Sequence, residues 1–355
     1  MPSRLRLTIF VLSVLTASAS GCASLGPRTI GPDRIDYIQE ISESWKKQML
    51  LNIVKLRYFD PPTFLDVSSI INQYGMENQV NTDARWYWPV PSASYGANAG
   101  VGGYSRYSDK PTITYTPLSG QKFTKSLLTP IPPSAVVSLI QSGWPIDLIF
   151  SLTVKTVNGV NNGFVGRGLS DKQTDFNRLI KALRMVQLAG VTDLRVEKAE
   201  DKEVVVFVIS DDIEKEKYSS EKQAVRSILK IKPDMNRYKI VFGSLAKSED
   251  EIALLTRSML EIMLEMAGTV EVPLEHVAEK RVKETMPFSD NEFLLTHIYS
   301  SPNKPKDAFA AVKYQDHWFW VDNKDINSKR NFALLMIFLS LTETEQKSSG
   351  PLVTI

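Results

Sequence analysis

Few residues in this 355-residue chain are of kinds that do chemistry, and they are scattered: three histidines, His276, His297 and His317, and one cysteine, Cys22. A metal centre draws its ligands from closely spaced cysteine, histidine or carboxylate side chains on one helix face or turn. The histidines lie far apart, and none has such a partner at ligand spacing on a clear helical face, so the sequence predicts no metal and no cofactor. There is no G-x-S-x-G elbow to present a nucleophilic serine. The glycine-rich runs GANAGVGG (96–103) and GVNNGFVGRG (159–168) lack the terminal Gly-Lys-Ser/Thr of a phosphate loop, and the first sits in an alternating, strand-like stretch. Asp211-Asp212, and Asp316 near Asp322, read as solvated turn residues. The aromatic clusters WYW (86–88) and HWFW (317–320) read as core or interfacial packing rather than stacking platforms, because no basic patch accompanies them. The sequence predicts no catalytic residue and no enzyme; an envelope hydrolase is the weakest reading.

Cys22 has a different context. Arg4 and Arg6 precede the apolar run LTIFVLSVLTA (7–17), which is too short to span a bilayer, and small residues 18–21 lead to the cysteine. This string resembles a bacterial lipoprotein signal, with Ala rather than Leu at the outermost of the four residues ASGC. The resemblance implies cleavage before Cys22 and acylation of its sulfur and new amino terminus. Three acyl chains, at roughly 0.8 kcal/mol per buried methylene, make a permanent anchor where one is marginal. Ala23 after the cysteine points to the outer membrane of a diderm bacterium. The exported chain then has no second thiol and folds without disulfides. The formal charge is +2, and losing Arg4 and Arg6 with no acid brings it to zero. That balance gives no electrostatic case for nucleic acid.

These features need elements to carry them. We expect a signal peptide over 1–21, a tether over 22–32, an amphipathic helix over 33–60, a β-hairpin region over 61–130 and an α+β body over 131–355. The helix should open at Pro32-Asp33 and place Ile35, Ile38, Ile41, Trp45, Met49, Ile53 and Leu56 on one face, until Asp60-Pro61-Pro62 stops it. In the body, SAVVSLIQSG and WPIDLIFSLTVKTVNG read as buried helices, and FNRLIKALRMVQLAG as a helix ending at Gly190. LRVEKA and EVVVFVIS read as a hairpin, EKQAVRSILK as helix and RYKIVFGS as strand. Ser248 with Glu251 reads as a capping box opening one helix to Gly268. FAAVKY and HWFWVD form a last hairpin, and FALLMIFLSLTE a final apolar helix. Helices mixed with paired strands predict an α+β fold with antiparallel sheet.

The strongest period-two pattern is SASYGANAGVGGYSRYSDKPTITYTP (92–117). Ala93, Tyr95, Ala97, Ala99 and Val101 alternate with Ser, Gly and Asn. After a turn-like Ser105 to Lys110, Ile113 and Tyr115 alternate with threonines. The stretch from Asn78 to Arg85 reads as polar and turn-like. The alternating run is close to the 9–11 residues of a tilted membrane strand. Trp86, Tyr87 and Trp88 stand before it, and Tyr104 and Tyr107 at its tip. One hairpin alone leaves two open edges that hydrocarbon does not tolerate. Its alanine-rich face favours a protein neighbour. We therefore read Trp86, Tyr87, Trp88, Tyr95, Val101, Tyr104, Tyr107, Ile113 and Tyr115 as a protein interface, with membrane insertion as the alternative.

The runs LLNIVKLRYFDPPTFLDVSSI (50–70), PTITYTPLSGQKF (111–123), LLTPIPP (127–133), SGWPID (142–147) and WFWVDNKDINSKRNFALLM (318–336) resemble a family of bacterial outer-membrane lipoproteins of uncharacterised function. The resemblance spans nearly the whole mature chain and implies envelope localisation, with no catalytic residues to carry over. The combined expectation is a non-enzymatic lipoprotein that binds envelope proteins or its own copies, or else a pore subunit inserting residues 86–117.

Overall fold

The computed structural model describes residues 26–86, 97–163, 171–199, 202–210, 218–285 and 296–343. The chain divides into two compact units, Met1–Ser42 with Leu65–Pro117, and Glu43–Phe64 with Leu118–Ile355. The fold is α+β, as the pattern predicted. The signal peptide, Cys22 and residues 87–96, which include Tyr87, Trp88 and Tyr95, lie outside the described residues.

Helix α1 runs Gly26–Arg57, longer than the expected 33–60 helix at its start and shorter at its end, with Pro32 inside it. The expected tether is therefore helical from Gly26 onward. The apolar stripe is also used unevenly. Met49 and Ile53 are fully buried, whereas Ile35 and Ile38 stay exposed.

In the first unit, strand β1 (Phe64–Ile71) pairs with β4 (Thr112–Leu118), and β2 (Tyr74–Trp86) pairs with β3 (Ala97–Asp109). The β2–β3 ladder is antiparallel and in register from Tyr74↔Asp109 to Trp86↔Ala97. This corrects two expectations. Asn78 to Arg85 is strand rather than turn, and the partner of the alternating run is β2, not the Thr112–Thr116 segment. Asn78 and Thr82 interrupt the apolar parity of β2 and hide its alternation. The base of this unit is tied by hydrogen bonds: Tyr37 Oη donates to Asn72 Oδ1 (3.0 Å), Asn72 Nδ2 to Tyr74 Oη (2.9 Å), and Tyr74 Oη to Asp33. Tyr74 stacks on Tyr107, centroids 6.4 Å apart.

The second unit holds a six-stranded sheet in the order β6-β5-β10-β9-β8-β7. Its strands are β5 (Val154–Val157), β6 (Val160–Asn161), β7 (Thr192–Ala199), β8 (Lys202–Ile209), β9 (Arg237–Phe242) and β10 (Glu251–Thr256). All neighbours are antiparallel except β9 and β10, which run parallel. Helix α2 (Gln121–Leu128) leads into this unit, and helices α3 (Pro133–Gln141), α4 (Ile146–Thr153), α5 (Asp171–Leu188) and α6 (Ser219–Leu229) accompany the sheet, with α3 against β7, β8 and β9. The expected helix WPIDLIFSLTVKTVNG is only half helix. The β-branched run Val154 to Val157 becomes strand β5, and Asn158-Gly159, both at positive φ (45° and 79°), make the turn into β6. Asn-Gly is the favoured pair for such a two-residue turn.

The expected helix from Ser248 to Gly268 is likewise split. Glu251–Thr256 is strand β10, and helix α7 (Met259–Gly268) starts later. The capping box is Ser258–Glu261: Glu261 N–H donates to Ser258 Oγ (3.2 Å), and Ser258 N–H to Glu261 Oε2 (2.9 Å). Ser-x-x-Glu occurs twice here, and a run of Ile, Leu and Thr between the two copies favours strand. A three-stranded sheet follows, in the order β11 (Tyr299–Ser301), β13 (His317–Asp322), β12 (Ala308–Tyr314), backed by helix α9 (Ile326–Glu343). The β12–β13 turn is Gln315-Asp316, as expected, both at positive φ. Helix α9 is capped by Asp325, whose Oδ1 accepts from Ser328 N–H (3.0 Å).

The junction of α4, β6, β10 and α7 is closed by a buried charge. Arg257 is 2% exposed and Glu265 likewise. The guanidinium donates to the Ser151, Leu152 and Asn162 carbonyls (3.0, 3.2 and 3.3 Å) and to Glu265 Oε1 (3.1 Å). Burial pulls the Arg257 pKa down, and the Glu265 and Glu261 carboxylates oppose that pull. Two of its acceptors are carbonyls of the last turn of α4, where positive charge suits the helix dipole. Arg257→Met and Glu265→Leu should each cost about 3–5 kcal/mol, because each strands a buried charge. The double variant should cost less than the sum of the two in urea unfolding. Ser258→Ala, which removes only the cap, should cost about 1 kcal/mol.

Candidate functional site

The strongest concentration of chemically capable side chains among the described residues joins two histidines that the sequence holds far apart. His317 opens β13, directly after the Gln315-Asp316 turn. His276 lies on the short helix α8 (Leu274–Ala278), which follows α7 after Pro273. Their rings meet edge to face, with centroids 4.9 Å apart. Glu275 reaches both: its Oε1 is 3.4 Å from His317 Nε2 and 3.9 Å from His276 Nε2. One ligand atom from each of the three residues falls within 4.8 Å of the others. His276 is buried, His317 is half-buried, and Glu275 is exposed, so the cluster is walled on one side and open on the other.

The wall is aromatic. Tyr58, the residue after α1, lies edge-on to His276, Tyr314 and Phe319, with centroids at 5.7, 5.4 and 6.1 Å. Its Oη sits 2.7 Å from His276 Nδ1 in a buried hydrogen bond. That contact occupies Nδ1 and leaves Nε2 directed at the carboxylate, the arrangement by which an outer partner orients a ligating imidazole. Burial pushes the Tyr58 phenol up to about 12, so it stays neutral across the physiological range. Tyr314 Oη donates to Asp60, and burial with that carboxylate raises its pKa too. Burial, the His317 ring and Arg281 lower the His276 pKa, outweighing Glu275 and Glu279. Arg281 is itself paired with Glu279 (2.6 Å).

The expectation of three isolated histidines is therefore corrected for two of them. It failed because ligand spacing was sought along the chain, whereas the fold brings a helix residue to a strand residue. One signal was available. His317, Phe319 and Val321 share parity in β13, and Phe319 and Val321 are fully buried, so alternation turns His317 towards the core. His297 is also partnered: its Nε2 lies 2.6 Å from Glu271 Oε1, and it stacks on Tyr299, which stacks on Trp320. The HWFW run behaves as packing, with Phe319 in the core and the Lys304 ammonium 5.4 Å from the Trp318 ring centre. Asp316 is a solvated turn residue, as expected, and Asp322 accepts from Lys324 N–H in its own turn.

The residues read as an interface lie apart from this cluster in the chain. Tyr104, Tyr107, Ile113 and Tyr115 are all exposed, at 39–58%. Tyr104 Oη donates to Glu77 Oε1 (3.0 Å). Trp86 and Val101 occupy ladder positions opposite Ala97 and Thr82. Among those side chains of the first unit whose burial is described, which leaves out Met76, Val80–Trp86 and Ala97–Gly102, no apolar one is buried. No described helix is long and apolar enough to cross a membrane. Comparison with family models, with curated proteins and with solved structures finds no match to this chain.

Tyr58→Phe removes a hydrogen bond and leaves a buried imidazole nitrogen unpaired, so it should cost about 1–3 kcal/mol in equilibrium unfolding. The His276 ring 15N resonances should move with it, while those of His297 stay in place.

Proposed function

We propose that this chain is a non-enzymatic lipoprotein of the outer membrane, held by acyl chains on Cys22, that serves as a binding or assembly module of an envelope complex. The observation that carries this reading is the first unit. Its β2–β3 ladder is 13 residues long on each strand and pairs with no third strand among the described residues. A two-stranded ribbon is marginal in water without a face to pack on, and its open edges are templates for pairing. Exposed Ile30, Ile35 and Ile38 on α1, with exposed Tyr104, Tyr107, Ile113 and Tyr115, supply the apolar contacts that a neighbour would cover. The sequence resemblance to envelope lipoproteins supports the same location.

A second reading has its own support. Thirteen residues exceed the 9–11 that a tilted membrane strand needs. One set of alternate β2 positions carries Tyr74, Met76, Val80, Ala84 and Trp86, with Asn78 and Thr82 among them, while the other carries Gly75, Glu77, Gln79, Asn81, Asp83 and Arg85. One face is thus more apolar than the other, as in a barrel wall, and several protomers would have to close one barrel together.

Cys22→Ser should move the protein out of outer-membrane fractions or leave it uncleaved; unchanged partitioning would contradict the anchor. With Cys22 acylated, a cysteine introduced at position 104 or 107 is the sole thiol. Positions 104 and 107 lie on opposite faces of β3, so protection of one but not the other from a water-soluble maleimide in membranes, with a ring-sized particle in detergent, favours the barrel. Labelling of both positions in the purified protomer, lost on assembly, favours the docking module.

A further inference from the structure

We propose that Glu275, His276 and His317 form a binding site for a divalent transition-metal ion of the zinc class, with three protein ligands and a fourth position open to solvent. The inference stands apart from the anchor and hairpin readings, since it uses only residues of the second unit.

The ligand chemistry is two imidazole nitrogens and one carboxylate oxygen, a set that suits Zn2+ and neighbouring divalent ions and excludes ions that require all-oxygen shells. The geometry is close to what such an ion requires. Bonds of about 2.0–2.1 Å around a tetrahedral centre set the donor atoms about 3.3–3.4 Å apart. Glu275 Oε1 is already 3.4 Å from His317 Nε2 and 3.9 Å from His276 Nε2, and the whole set lies within 4.8 Å. Glu275 Oε1 thus lies within ion-pair reach of both imidazoles, slightly farther than the 2.7–3.2 Å of a direct N–H···O bond. His317 Nδ1 is buried with no hydrogen-bond partner.

Two further features fit a ligand site rather than a packed histidine pair. The Tyr58 hydroxyl holds His276 by Nδ1 and leaves Nε2 as the ligating atom, and Tyr58 is fixed by Tyr314 and Phe319 around it. Glu275 is the mobile member. Its side chain is 63% exposed on a five-residue helix, so it can swing by the remaining distance without disturbing the core. The Arg281 guanidinium nearby is taken up by Glu279. An ion here would tie α8 to the β12–β13 hairpin.

The test is Co2+ titration of the mature chain, purified in detergent without a polyhistidine tag, followed by its visible absorption and by Zn2+ competition. One equivalent of Co2+ should give the intense bands of a four- or five-coordinate ion, and Zn2+ should abolish them. Glu275→Gln, on an exposed side chain that leaves the fold intact, should weaken Co2+ binding on the order of tenfold or more, and His317→Gln should abolish it. His297→Gln should leave it unchanged. Absence of saturable one-to-one binding in the wild-type protein, or wild-type affinity in Glu275→Gln, would overturn the proposal. Loss of binding in His297→Gln with retention in His317→Gln would overturn it equally.

Discussion

A guanidinium taken out of water at Arg257 constrains much of the second unit. Desolvating a charge costs several kcal/mol, and it is tolerated only where hydrogen bonds and a counter-charge surround it. Here those come from three backbone carbonyls on two segments and from Glu265 on α7. The acceptors must converge, so α4 has to end where it does and α7 has to start with Glu265 turned inward. The capping box at Ser258 sets that phase, because it fixes the first turn of α7 one residue after Arg257. Helix α8 follows within six residues of the end of α7. The position of His276 is thus downstream of a purely structural charge pair.

The two units differ in what holds them. The second has a continuous core from Met49 through the sheet strands to Leu339. The first is organised by backbone ladders and by a chain of hydrogen bonds through Tyr37, Asn72, Tyr74 and Asp33. Such bonds are each worth only about 1 kcal/mol net, since water competes for the same groups. A long ribbon held this way keeps its shape best when a neighbour covers it.

The histidine cluster owes its chemistry to unequal exposure. Tyr58, Tyr314 and Phe319 supply a dry wall that orients one imidazole, and the exposed Glu275 supplies a charged gate. A ligand set needs both: rigidity to hold two nitrogens close, and a movable oxygen to complete the shell around an incoming ion. The same wall explains why Tyr58 keeps its proton.

Local pattern was legible wherever the physics is local. Alternation identified β7, β8, β12 and β13; helical periodicity identified α3, α5, α6 and α9; and the Gln315-Asp316 and Gly190 positions followed from turn and cap chemistry. Legibility failed where two local signals competed. Ser248-Glu251 and Ser258-Glu261 carry the same capping motif, and only the sheet, which claims Glu251–Thr256 as a strand beside β9, selects the second. The pairing of β3 with β2 rather than with β4 is likewise a choice among strands of compatible period. By itself the sequence determined the α+β class, the kinds of element and the context of the lone cysteine. Tertiary structure alone decided which strands pair and that His276, His317 and Glu275 form one cluster, because contacts between distant residues depend on the packing of whole elements, which no spacing along the chain encodes.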